Sequence, residues 1–198
     1  MKMLAITAAA LAATAAAAQP LEYMTFELDG AASAEAAELV GGTSLGNTSG
    51  YWNVGGPATL VTVEYSVTIE TFAGSWLSEA SLLIADAGLP DTTNGITFSF
   101  APDAGNAGTI TISGLLDLRT DFVDGGGNPV DATIVDADGL FYYELFESFD
   151  DDLFGGILPG DTEAIVSGSI TLGYAVVPTP GAAALLGLGG LAGLRRRR

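Results

Sequence analysis

Val61, Val63, Tyr65, Val67 and Ile69 alternate with Thr62, Glu64, Ser66, Thr68 and Glu70. A period of two puts the apolar set on one side of an extended chain and the polar set on the other, which predicts a half-buried strand. Residues 166–176 repeat the pattern, with Ile170, Leu172, Tyr174 and Val176 against Ser169, Thr171, Gly173 and Ala175. Shorter strand candidates are residues 23–28, 77–85, 96–100, 109–118, 133–135 and 140–146. Turn signals at Asp29-Gly30, Asn94-Gly95, Asp124-Gly125 and Asp138-Gly139 punctuate them. Residues 31–40, rich in Ala and Glu, are the one segment expected to be helical. Many short strands separated by Gly and Asp turns predict an all-β protein, a single β-sandwich or jelly roll. The 159 residues of 19–177 suffice for one such domain.

Composition narrows the chemistry. The chain has 24 Asp plus Glu, 6 Lys plus Arg, and no His or Cys. Without imidazole or thiolate there is no Ser-His-Asp or Cys-His catalysis, no His- or Cys-based metal site and no disulfide. Every acid falls between Glu22 and Glu163, whereas five of the six basic residues are terminal: Lys2, Arg195, Arg196, Arg197 and Arg198. Residues 19–177 thus carry 24 acids against Arg119, a net charge of −23. Nucleic acid is excluded as a partner, because phosphate contacts need clustered cations and this charge repels polyanions.

The termini read as processing signals. Residues 1–18 combine Lys2, an apolar run and Ala16-Ala17-Ala18, the layout of a secretory signal peptide with an A-x-A cleavage site. At the other end Val177-Pro178-Thr179-Pro180 precedes fourteen residues from Gly181 to Leu194 with no charged side chain, then four arginines. As a helix that stretch reaches about 21 Å, short of a hydrocarbon core of about 30 Å. The arginines would stay on the cytoplasmic side while the rest is exported. Gly189 and Gly193 stand at GxxxG spacing, suited to packing on another membrane helix.

A Pro-x-Pro element, a short Gly/Ala/Leu segment and a terminal arginine cluster, following a signal peptide, resemble the PEP-CTERM sorting tail. The resemblance covers residues 178–198 with the preceding Val177, and departs from the usual Val-Pro-Glu-Pro in carrying Thr179. It implies that Val177, Pro178, Thr179, Pro180, Gly181 and Arg195 to Arg198 form a sorting motif. The expected partners are the Sec translocon and exosortase, a membrane cysteine protease. The expected location is the cell-envelope surface or extracellular matrix, after transient inner-membrane insertion by the tail. The body is similar, diffusely, to the jelly-roll P domain of subtilisin-like convertases in Leu82-Leu83-Ile84 after Gly74-Ser75-Trp76, in residues 141–149 and in residues 170–174.

The acids suggest oxygen ligation. Glu144, Glu147, Asp150, Asp151 and Asp152 form the densest cluster, of which Glu147 and Asp150 to Asp152 are the candidate ligands, with Asp136 and Asp138 a second candidate; both suit Ca²⁺, which takes six to eight oxygens. Neither matches an EF-hand loop, and a solvated acidic loop explains either one as well. Asp121 with Asp124 is a third, weaker pair. Tyr51, Trp52 and Trp76 are the candidate ligand-binding aromatics, able to stack on sugar rings and equally able to pack a core. Asn47-Thr48-Ser49 fits a glycosylation sequon. No catalytic motif is met, so a non-enzymatic role is expected: an exported surface or matrix protein, structural or adhesive. The alternatives are a Ca²⁺-dependent carbohydrate-binding module, with exopolysaccharide as ligand, and a glycosidase using two carboxylates.

Overall fold

The computed structural model describes residues 19–34, 36–37, 46–72, 74–88, 95–149 and 162–177. These residues form eleven strands: β1 (Glu22–Ser33), β2 (Ser49–Asn53), β3 (Ala58–Thr71), β4 (Ala80–Asp86), β5 (Gly95–Ser99), β6 (Thr109–Asp117), β7 (Phe122–Val123), β8 (Pro129–Val130), β9 (Ile134–Asp136), β10 (Leu140–Glu147) and β11 (Ala164–Val176). One sheet runs β1-β11-β3-β6, with β9 also on β3; the other runs β2-β10-β4-β5. The small β7–β8 hairpin stands apart.

Setting aside that hairpin and β9, the pairing is nested. The first main strand pairs with the last, β2 with β10, β3 with β6 and β4 with β5, all antiparallel. A long antiparallel hairpin rolled so that its strands alternate between two layers has this order, and it is the jelly roll among β-sandwiches. The layers meet over one core. Val63, Tyr65, Val67, Ile69, Val166, Ile170 and Leu172 come from one sheet, Leu82, Ile84, Ile96, Phe141 and Leu145 from the other. Removing each such side chain from water contributes roughly 1.5–3 kcal/mol.

Local departures have physical causes. Val61 does not join the inward set of β3; it is the extra residue of a bulge between the Leu60–Tyr174 and Thr62–Gly173 pairs. That bulge falls where the outer neighbour of β3 changes from β9 to β6. Asp29-Gly30 is no turn between strands but a bulge inside β1, with Gly30 at φ 67°. The helix expected at residues 31–40 gives way at Ala31, Ala32 and Ser33, which pair with Val166, Ile165 and Ala164; tertiary pairing overrides Ala propensity. Residues 38–40 lie outside the described residues. Tyr51 and Trp52, in a Gly/Asn/Ser-rich stretch that the alternation reads as a loop, form strand β2 on the edge of β10.

Aromatic clusters sit at both flanks of the sandwich. At the β1/β2 flank Trp52 stacks between Phe26, at 5.2 Å, and Tyr143, at 4.3 Å. At the β5/β6 flank Tyr65, Phe98 and Phe100 meet at centroid distances of 5.4 to 5.8 Å. Gly114 of β6 faces Tyr65 across the sheet. A Cβ there would lie 2.4 Å from the tyrosine ring, so only glycine lets the ring cross the β6 backbone and its hydroxyl reach the Phe100 carbonyl at 3.3 Å. We predict that Gly114→Val displaces Tyr65 and costs about 1–3 kcal/mol, the usual range for overpacking. Urea unfolding should show a lower midpoint at unchanged slope; a wild-type midpoint would contradict this packing.

Candidate functional site

Three glutamates are buried among the described residues, and the strand β10, which carries two of them, shows how they arise. Its odd residues Phe141 and Leu145 enter the core, whereas Tyr142, Glu144 and Phe146 point to the other side of their sheet. That side is covered, not solvated: Ala37, from the connection between β1 and β2, packs on Leu83, Tyr142 and Phe146. Glu144 is buried as a consequence, at 1% exposure. Its Oε1 accepts from Asn47 Nδ2 at 2.9 Å and its Oε2 from the Tyr142 hydroxyl at 3.0 Å. Asn47 Oδ1 in turn accepts the Ala34 amide at 2.9 Å, so a single side chain ties the covering segment to the sheet. Burial, and next to it the Glu144 carboxylate, push the Tyr142 phenol up to about 12, against an opposing contribution from Ser49. Asn47, the sequon residue, has both ends of its amide in use.

Glu147 lies at the end of β10, fully buried. The Ser33 hydroxyl donates to one of its oxygens and the Ser75 hydroxyl to the other, at 3.2 Å. Glu163, also buried, donates its amide to the Ser33 carbonyl at 2.9 Å and accepts the Phe72 amide on its own carbonyl at 2.8 Å. Ser33 therefore links both glutamates where β1, β10 and β11 meet. Arg119, the one cation among the described residues, pairs with Asp117 and holds that carboxyl down at about 2 through their hydrogen bonds. The hydrogen bonds drawn to Glu144 and Glu147 come from an amide and hydroxyls.

Three connections close the same end. Leu77 and Ser78 donate to the Asn106 and Ala104 carbonyls, and Ser148 donates to the Glu79 carbonyl. Trp76, whose amide is held by Glu79 Oε2 at 2.7 Å, is 52% exposed and lies beside Gly105; Phe72 and Phe149 are exposed in the neighbouring connections. Of the aromatics singled out from sequence, Trp76 is thus presented to solvent at this end. Tyr51 is exposed on the outer side of β2, edge-on to Tyr142. Trp52 is not available to a ligand: at 4% exposure it is core, held by its two stacking partners.

The acids expected to bind Ca²⁺ are placed otherwise. Asp136 is a buried turn-former, its Oδ1 accepting the amides of Asp138 and Leu140 at 2.8 and 2.9 Å. Burial acts to raise its pKa, but those amides and Asp86 outweigh it and hold the carboxyl below the usual range. Asp138 is exposed and contributes its amide to that turn. Asp124 likewise shapes the β7–β8 turn through Gly126 and Asn128, and Asp121 caps Asp117. Asp150, Asp151 and Asp152 lie outside the described residues, as does the sorting motif from Pro178 onward. Among the described residues no three acids are grouped to hold a metal ion, and no helix is long and apolar enough to cross a membrane.

A pocket of about 350 Å³ opens at the opposite end, lined by Asp86, Gly95 and residues 131–135. The Thr133 hydroxyl and amide hold Asp131 low.

No protein-family model and no curated protein matches the chain. Among solved structures it is similar to the structure of infectious bursal disease virus Gx strain, with 13% identity and a TM-score of 0.31, over 82% of this chain and 34% of that one.

The Asn47 bridge gives a direct test. Asn47→Ala should cost about 1–3 kcal/mol in urea unfolding, the range for a buried hydrogen bond whose partner is stranded. Asn47→Asp, which sets a second carboxyl against Glu144, should cost more at neutral pH. Two variants as stable as wild type would remove the bridge as a structural element.

Proposed function

We propose that the protein is exported and held at the cell surface or in the extracellular matrix, where it has a structural or adhesive role. The tail of residues 177–198 would direct exosortase-type sorting. The observation that carries the reading is the coincidence of a signal-like start and a Pro-x-Pro, apolar, tetra-arginine end on one chain with an acidic body. The fold supports it through the placement of the domain ends. Glu22 pairs with Tyr174, so the chain enters and leaves the sandwich at the same end. A domain tethered by its C-terminal tail would then direct the opposite end, with Trp76, Phe72 and Phe149, away from the membrane. That end is the candidate contact surface for a neutral polymer such as exopolysaccharide, because rings stack on sugar faces without calling on charge.

Mass spectrometry of the protein recovered from its host's envelope tests the sorting. The expected result is a mature start at Gln19 and no peptide spanning Pro180 to Arg198. An exported protein with its arginine terminus intact would overturn the proposal.

A further inference from the structure

The five strands of the two sheets with a free edge, β1, β2, β5, β6 and the three-residue β9, are unlike in how they present it. β2 and β5 are five residues each. β1 is long but carries Glu22, Glu27 and the Asp29-Gly30 bulge, features that discourage a further strand. β6 has none of these devices. Its nine residues are straight in register with β3, and from Thr109 to Leu116 it contains no charge and no proline. No described strand covers its outer edge. Beside it, between the sheets, lies an apolar groove of about 290 Å³ formed by Ala101, Pro102, Asp103, Ala104, Ile110 and Ile112. The inward-leaning Ile110, Ile112 and Leu116 are half-buried, and Leu115 on the other side is 63% exposed. The β1/β2 flank, by contrast, has the stacked Phe26, Trp52 and Tyr143 across it.

We propose that β6 pairs antiparallel with β6 of a second copy of this chain, about a two-fold axis through Ser113, joining the β1-β11-β3-β6 sheets of two molecules into one. Ser113 is the midpoint of the strand, so this register uses all nine residues. On the inner side it sets Ile110 opposite Leu116 of the second copy and Ile112 opposite its Gly114, apolar against apolar beside the groove. On the outer side Ser113 meets Ser113, Thr111 meets Leu115 and Thr109 meets Asp117. No two acids stand directly opposite. A second copy fits this edge because the strand is self-complementary in this register: apolar residues meet apolar ones and no acid meets an acid, which a body of net charge −23 requires of any self-contact. A nine-residue seam is small beside the roughly 1,600 Å² of a stable interface, so the dimer should dissociate on dilution and strengthen with salt. The pairing does not depend on how the chain is sorted.

The chain has no cysteine, which makes cross-linking decisive. Residues opposite each other in an antiparallel pair have Cα atoms about 4.5–5.5 Å apart, within disulfide reach. In the full-length chain, Ser113→Cys should oxidise to a covalent dimer several-fold more than Thr111→Cys alone, whose copies would sit four residues out of register. Mixing Thr111→Cys with Leu115→Cys should restore cross-linking. Sedimentation should show the cysteine-free protein dimerising with concentration and salt, and Thr111→Glu/Ser113→Glu losing the dimer while still unfolding in one cooperative transition. Cross-linking without preference for Ser113, or association undiminished in the glutamate variant, would overturn the proposal and assign association to another part of the chain. A monomer whose β6 amides nonetheless resist hydrogen exchange would also overturn it, and would place another segment of the same chain on this edge.

Discussion

An acidic chain with almost no cations must settle its carboxylates on neutral hydrogen-bond donors, and much of this structure follows from that constraint. Arg119 holds Asp117, and the body has no second arginine and no lysine. Amides and hydroxyls serve elsewhere. Asp136 closes the turn into β10 on two backbone amides, Asp124 shapes the β7–β8 turn on Gly126 and Asn128, Glu144 takes Asn47 and Tyr142, and Glu147 takes Ser33 and Ser75. Acids thereby become joints of the fold. The Glu144 joint fixes the connection between β1 and β2, and the Glu147 joint lies where β1, β10 and the β3–β4 connection converge. Buried carboxylates held by dipoles cost desolvation, which the apolar core must offset.

The same constraint shapes the surface. Repulsion spread over the whole body opposes contact with polyanions and with other copies, and does so least where a stretch of strand carries no charge. The outer face of the larger sheet mixes glutamates with hydroxyls that satisfy one another, as in Thr25–Thr171, Thr68–Thr111 and Ser66–Ser113. The two ends of the sandwich differ: the chain enters and leaves at one, and Trp76, Phe72 and Phe149 are exposed at the other. Each part of the functional reading uses a different neutral feature, the ring of Trp76 or the backbone of β6, because charge is unavailable for attraction.

Much of the fold was legible from period-two alternation. The strands β3 and β11 announce themselves that way, and they are the two central strands of the larger sheet. The segments that were not legible share a cause: their conformation is decided by partners distant in sequence. Ala31 to Ser33 have helical propensity and become strand by pairing with β11. Tyr51-Trp52 sit among Gly, Asn and Ser and look like a loop, until β10 supplies an edge to pair with. Trp52 looked like a ligand platform because composition cannot tell that Phe26 and Tyr143 enclose it. The acids at Glu144 and Glu147 read as a solvated cluster, since strand alternation at 142, 144 and 146 gives no hint that another segment covers that face.

The central claim is that an apolar jelly-roll core and neutral hydrogen bonds hold this domain together against its own negative charge. The most direct measurement is the urea midpoint of the full-length chain at neutral pH as NaCl is raised from about 0.02 to about 0.5 M, which shortens the screening length several-fold. The account predicts a midpoint that rises with salt, because screening weakens repulsion and the described residues have a single exposed ion pair to lose. A midpoint that falls with salt would mean that attractive charge pairs dominate, and would contradict it.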